Sequence, residues 1–297
     1  MQHVLTVNQL TKKFKHIAVN NISFQVEKGN VYGLLGPNGS GKSTTLGMLL
    51  TTINPTAGQW QWFDHLSTTP ETLKKIGAII EQPNFYPYLT AVQNLKIVCT
   101  IKGLTYDQID RVLDLVSLSE RKNDKFSTYS LGMKQRLSIA SALLNEPEVL
   151  ILDEPTNGLD PEGIIQIREL IMQIAKTGTT ILVASHMLDE IEKICSHVII
   201  LKNGTSLYVG AVDEMTASKG FFELDAEDQS SLQKALEESG KFGKIIIKNG
   251  KVKAFIDADF TALELNKYLT SKGIYLTHLV KAKESLESQF LDIVKQN

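Results

Sequence analysis

From Val4 to about Val212, short apolar runs alternate with longer stretches whose apolar residues recur at helical spacing. Val31-Tyr32-Gly33-Leu34-Leu35, Val149-Leu150-Ile151-Leu152 and Thr180-Ile181-Leu182-Val183-Ala184 are continuous and bounded by turn or charged residues. That is the pattern of strands covered on both faces. Val198-Ile199-Ile200-Leu201 repeats it and runs into Lys202-Asn203-Gly204, a hairpin turn signal. Strands alternating with helices predict an α/β architecture on a largely parallel, buried sheet. Open sheets of this kind bind ligands beyond the carboxyl ends of their strands, so chemistry is expected just after each run.

After Gly210 the texture changes. Phe221–Leu224, Lys244–Ile247, Lys251–Ile256 and Ile274–Val280 read as strands, with Asn249-Gly250 as a turn between the middle two. Helical stretches fall at Ser230–Ser239, Ala262–Lys272 and Ser285–Val294. These form a small α+β unit without a catalytic motif. The expected division is residues 1–216 for the first domain and 217–297 for the second, an accessory one.

Composition adds mainly exclusions. The 297 residues include 42% apolar and 22% charged positions, ordinary for a soluble globular chain. Thirty-one basic against 33 acidic residues give a net charge of −2, which offers no broad basic surface for nucleic acid and no polybasic anchor. Cys99 and Cys195 stand far apart, so reduced, buried thiols are expected. The N-terminal residues do not resemble a secretory signal. Ser43–Phe63 is free of charge over about the length of a membrane span, but Asn54, Pro55, Gly58 and Gln59 interrupt it. Any membrane part is therefore expected on a partner.

Gly36-Pro37-Asn38-Gly39-Ser40-Gly41-Lys42-Ser43 fits G-x-x-x-x-G-K-[ST], between the strand Val31–Leu35 and the helical run Thr44–Leu50. Glycines let backbone N–H groups turn towards phosphate oxygens while the following helix points its positive end at the same anion. Lys42 is placed for the β- and γ-phosphates of ATP, and the Ser43 hydroxyl, next to Thr44, for Mg²⁺. Asp153 and Glu154 follow the strand Val149–Leu152. Asp153 suits a role holding Mg²⁺, and Glu154 is placed to polarise the water that attacks the γ-phosphate.

Tyr129-Ser130-Leu131-Gly132-Met133-Lys134-Gln135-Arg136 resembles the signature motif of ATP-binding cassette (ABC) proteins. Gly158-Leu159-Asp160-Pro161 resembles that family's D-loop and Ala184-Ser185-His186 its H-loop, all in family order over residues 4–212. The resemblance implies a P-loop ABC ATPase core: a parallel sheet with helices, a β-rich N-terminal part and a helical subdomain at about residues 84–145. Against the usual Leu-Ser-Gly-Gly-Gln, the signature departs at Tyr129, Leu131 and Met133 but keeps Ser130 and Gly132. In the family those two contact the γ-phosphate held by the opposite subunit. A serine opening a helix is also an ordinary N-cap, and both roles can coexist at Ser130. His186 inherits contact with the γ-phosphate and attacking water, and Asp160 the D-loop position.

Phe14 occupies the place where the family stacks an aromatic ring on adenine, with packing of a strand phenylalanine into the core as the alternative. Aligned on Gly77, the family's Q-loop glutamine falls on Glu81, with Gln82 one residue later. Glu81 would bring an ionised carboxylate towards Mg²⁺ and the γ-phosphate, whereas a one-residue shift restores the amide of Gln82. Glu81, the aromatic run from Phe85 to Tyr88 and the signature together are similar to the ATPase subunits of bacitracin-resistance and lantibiotic-immunity exporters. Residues 84–103 read as aromatic and helical; in the family this region receives a coupling helix of the membrane subunit. The resemblance implies a homodimer of ATPase subunits on the cytoplasmic face of the membrane, joined to integral-membrane subunits and not to nucleic acid.

Overall fold

The computed structural model describes residues 2–63, 69–80, 84–215, 220–248, 250–257, 260–283 and 285–296. It divides into two compact units, one up to Ala211 and one from Val212 to Gln296, where composition alone puts the boundary after residue 216.

The first unit runs β1 (His3–Lys13), β2 (Ile17–Glu27), β3 (Val31–Leu35), α1 (Lys42–Leu49), β4 (Ala57–Trp62), α2 (Pro70–Lys74), β5 (Ile76–Ile79), α3 (Ala91–Lys102), α4 (Gln108–Leu115) and α5 (Leu131–Leu143). It continues with β6 (Val149–Asp153), α6 (Pro161–Lys176), β7 (Thr180–Ser185), α7 (Leu188–Ile194), β8 (His197–Lys202) and β9 (Thr205–Ala211). Six strands form a sheet in the order β5-β6-β7-β3-β8-β9, parallel except for the β8–β9 hairpin. Strands β3, β6 and β7 are buried at every position, which is why their sequences are apolar without alternation.

An antiparallel sheet, β2-β1-β4, packs over α1. Leu10, Ile22, Leu34, Leu46, Met48, Trp62 and Ile151 join both sheets and the helix in one cluster. Burying a side chain of this size contributes about 1.5–3 kcal/mol. The Trp62 indole N–H donates to the Leu49 carbonyl at 3.0 Å, closing the end of α1. The charge-free stretch is thus core helix and strand. No helix of the described residues is long and apolar enough to cross a membrane.

Helices α3, α4 and α5 supply the helical part. Residues 84–90 are not helical, contrary to the sequence expectation. Pro87 lacks an amide donor, and Thr90 starts α3 with a capping box shared with Gln93. Buried Asn94 fixes the preceding loop: its Oδ1 accepts from the Tyr86 amide at 2.9 Å and its Nδ2 donates to the Tyr86 and Thr90 carbonyls at 3.1 and 3.0 Å.

The second unit runs α8 (Val212–Met215), β10 (Phe221–Ala226), α9 (Gln229–Glu238), β11 (Phe242–Lys248), β12 (Lys251–Ile256), α10 (Ala262–Ser271), β13 (Leu276–Ala282) and α11 (Leu286–Gln296). The sheet order β11-β12-β10-β13 and the element order from β10 to β13 make a split β-α-β pair of ferredoxin-like type. Alternate strand residues Phe222, Leu224, Val252 and Ala254 bury against Leu232, Leu236, Leu265 and Leu269 of α9 and α10.

Candidate functional site

β3 delivers the chain into the phosphate loop, and the loop's backbone leaves no room for larger residues at two points. Gly41, the residue before α1, has φ 105°, and a Cβ there would lie 2.6 Å from the Ala18 carbonyl. A Cβ at Gly36 would lie 2.4 Å from both the Leu201 carbonyl and the Ser40 hydroxyl. No side chain caps α1, so its first amides keep their donor capacity for an anion. Buried Ser40 has a hydroxyl without a hydrogen-bond partner among the described residues, a polar group suited to a phosphate oxygen. Pro37, Asn38 and Gly39 form the outer rim of this loop, with Pro37 O accepting from the Ser40 amide at 3.1 Å.

Lys42 is 6% exposed, and its ammonium donates to the Gly36 carbonyl at 2.8 Å while lying 3.5 Å from Glu154 Oε1. Glu154 Oε2 is 2.8 Å from His186 Nδ1. Three motifs distant in sequence therefore meet, because β3, β7 and β6 are neighbours and their carboxyl ends open on one side. Glu154 has φ 48°, an uncommon conformation for a residue with a side chain, and its amide donates to the Ala184 carbonyl at 2.9 Å. The strained turn aims the carboxylate at His186 instead of letting it follow the strand. Asp153 is 7% exposed at the end of β6, while Ser43 and Thr44 begin α1. A serine hydroxyl and one carboxylate are an all-oxygen donor set, which fits Mg²⁺ shared with phosphate oxygens. No cluster of three His, Cys, Asp or Glu side chains suited to holding a metal alone occurs among the described residues.

Ser130 caps α5, its hydroxyl accepting from the Met133 amide at 3.3 Å. Asp160 caps α6, with Oδ1 accepting from the Gly163 amide at 3.0 Å. Ser130, Gly132 and Asp160 line one open groove. A Cβ at Gly132 would meet the Leu159 side chain at an ordinary contact distance of 3.9 Å, so that glycine leaves room on the groove. Tyr129 is buried and donates its hydroxyl to the Arg121 carbonyl at 2.7 Å, which explains a large aromatic at this departure from the usual signature.

Phe14 is 57% exposed, with the Lys12 ammonium 4.8 Å from its ring centroid, so the core-packing alternative is overturned. Glu81 and Gln82 lie outside the described residues. Tyr86 and Tyr88, half or more exposed, stand on the loop held by Asn94, and Phe85 packs instead on Phe126.

The family model described as ABC transporter matches residues 19–157. Over 300 residues the chain is 36% identical to the bacitracin transport ATP-binding protein BcrA of Enterococcus faecalis, covering 99% of this chain and 97% of that one. The chain belongs to the ABC transporter ATP-binding proteins. It is 41% identical to the lantibiotic transport ATP-binding protein SrtF of Streptococcus pyogenes over 202 residues, 68% of this chain and 88% of the other. Among solved structures, cbiO1 of Clostridium perfringens, part of the ABC transporter complex cbiONQ, superposes with a TM-score of 0.67 at 28% identity. That match covers 74% of this chain and 92% of cbiO1. A dimeric ATP-binding cassette with ADP and phosphate bound superposes with a TM-score of 0.62 at 27% identity, over 70% of this chain and 98% of the other. This ABC protein is accordingly an ATPase that binds ATP.

Sequence reasoning missed one group of side chains beside the ABC motifs. Arg168 of α6 donates to both carboxylate oxygens of buried Glu190 on α7 at 3.1 Å, and Lys193 adds a contact at 2.9 Å. The pair ties the helix after Asp160 to the helix after His186. The partners are distant in sequence, and no local signal at either position points to the other.

Proposed function

We propose that this chain is the ATP-hydrolysing subunit of an exporter that removes a lantibiotic from the cell membrane, giving immunity to a producing cell. The observation that carries hydrolysis is the Lys42–Glu154–His186 contact. Lys42 and the α1 amides bind the β- and γ-phosphates, Glu154 takes a proton from the attacking water, and His186 holds the water and γ-phosphate in line. Phe14 stacks on adenine. Ser43 and Asp153, with Glu81 of the Q-loop, would hold Mg²⁺, which when bound would neutralise charge building on the phosphate oxygens.

The groove of Ser130, Gly132 and Asp160 serves a second ATPase subunit's γ-phosphate, so two copies enclose two nucleotides. Contacts that require the γ-phosphate drive closure, and hydrolysis removes them. Integral-membrane subunits engage the loop of Tyr86 and Tyr88, placing the protein peripherally on the cytoplasmic face. Identity of 41% to a lantibiotic transport ATP-binding protein supports the cargo. A bacitracin-type cargo is the second reading, favoured by the 99% coverage of this chain, C-terminal unit included, in the match to BcrA.

Glu154→Gln is expected to retain ATP binding while lowering phosphate release by about 10²–10⁴-fold, the usual contribution of a general base. Near-normal turnover would refute the assignment. For cargo, cells expressing the chain with its membrane subunits are challenged with a lantibiotic and with bacitracin. Protection against bacitracin alone would replace the lantibiotic reading.

A further inference from the structure

The face of the C-terminal sheet turned away from α9 and α10 has a chemistry that the ATPase cycle does not use. Register places Phe221 opposite Phe255, Lys244 opposite Phe255, and Lys248 opposite Lys251 on this face. Two ammonium groups directly across a strand pair repel, a destabilising arrangement unless something offsets it. Glu223 partly does so: it lies 3.2 Å from Lys251, 3.6 Å from Lys253 and 3.0 Å from His278 Nε2. Lys244, Lys248 and Lys283 have no ion-pair partner among the described residues.

These lysines surround a pocket of about 310 Å³. Its floor is Phe221 and Phe255, its walls are Lys244, Lys248, Lys253 and Lys283, and Ser288 and Leu291 of α11 close one side. No acidic side chain lines it among the described residues. The Lys253 ammonium sits 4.4 Å from the Phe221 ring centroid and that of Lys244 5.6 Å from Phe255, so the charges are held over the floor instead of extended into solvent. The ammonium groups gathered over the rings, with the Ser288 hydroxyl, suit a compact dianion, and Ile246 with Leu291 suits an apolar remainder.

We propose that this pocket binds a phosphate monoester with an apolar or aromatic substituent, a second ligand site separate from the nucleotide site. Its phosphate lies over Phe221 and Phe255 among Lys244, Lys253 and Lys283, and its substituent lies along Ile246 and Leu291. The same chemistry is offered by a soluble aromatic phosphate and by the headgroup of phosphatidic acid.

The test uses the full chain with its nucleotide site saturated by a non-hydrolysable ATP analogue. Phenyl phosphate binding is followed by NMR or calorimetry, and vesicle binding is compared for phosphatidic acid in phosphatidylcholine against phosphatidylcholine alone. Binding of either probe is expected, and the arm that responds identifies the source. The triple variant Lys244→Gln, Lys253→Gln, Lys283→Gln is expected to weaken it by at least tenfold, about 1.4 kcal/mol. ATP turnover is unchanged in that variant. Ser288→Glu, which places a negative charge at the pocket wall, gives the same loss through a different residue. Absence of binding to both probes, or equal binding by parent and variants, overturns the proposal. Capture of an acidic peptide such as polyglutamate with no response to either phosphate probe overturns it in favour of a protein partner.

Discussion

Replacing Arg168 with leucine tests whether the tie between α6 and α7 carries stability. Arg168 contacts both oxygens of Glu190 at 3.1 Å, with side-chain exposures of 22% and 12%. At an effective dielectric of about 20, unit charges at that separation attract by about 5 kcal/mol before desolvation is subtracted. Breaking one side of a fully buried pair costs about 3–5 kcal/mol because the remaining charge is stranded. Here Lys193, itself half exposed, still reaches Glu190 at 2.9 Å, so the loss is reduced to about 2 kcal/mol. Urea unfolding of Arg168→Leu should therefore show a lower midpoint at unchanged slope. The double variant Arg168→Leu with Glu190→Leu should recover most of the loss, giving a coupling of about 1 kcal/mol or more in the cycle. Because α6 follows Asp160 and α7 follows His186, kcat should fall in the single variant and recover in part in the double. Single variants within about 0.5 kcal/mol of the parent, or strictly additive effects, would show that the pair is a passive surface contact.

Three further expectations concern separate places in the chain. Phe14→Ala should weaken ATP binding by about 5- to 150-fold, the equivalent of 1–3 kcal/mol of stacking, without lowering thermal stability, because the ring is exposed; an unchanged Kd would remove Phe14 from the nucleotide site. Hydrogen bonds from the Ser231 hydroxyl and amide, then from the Ser230 hydroxyl, hold the Asp228 carboxyl at about 2. This folded value lies below the ordinary carboxylate, so its stabilising contribution is present above about pH 4 and is lost as pH falls through about 2. Asp228→Ala should accordingly flatten the acid limb of the pH–stability profile measured in urea, and an identical limb would refute the capping account. Burial pushes the Cys195 thiol far up, and burial likewise raises that of Cys99. Native protein should resist iodoacetamide at pH 8 and gain two labelled cysteines on unfolding, as mass spectrometry reads directly.

Legibility in the sequence followed the locality of each feature. The phosphate loop is contiguous and its geometry depends on glycines within it, so Gly36–Ser43 could be read with its strand and helix. Runs buried on both faces, such as Val149–Leu152, advertise themselves by lacking alternation. The contact of Lys42 with Glu154 was not legible, because it requires the sheet order β6-β7-β3. The same holds for Arg168 with Glu190 and for the sheet order of the C-terminal unit, since period and propensity say nothing about which strand lies beside which. Residues 84–90 misled because aromatic content continues into a true helix, whereas Pro87 and the Thr90 cap delay the helix to Ala91. Phe14 could not be assigned as core or surface from its polar neighbours alone.

The left-handed backbone at Glu154 limits what this position can become. Left-handed geometry tolerates asparagine and aspartate and disfavours valine, isoleucine and threonine, so routes of divergence through a branched residue cost stability as well as activity. The amide that holds this turn reaches the Ala184 carbonyl, two residues before His186. Base and histidine are consequently both tied to the end of β7, so a shift of that strand end is expected to carry the two together.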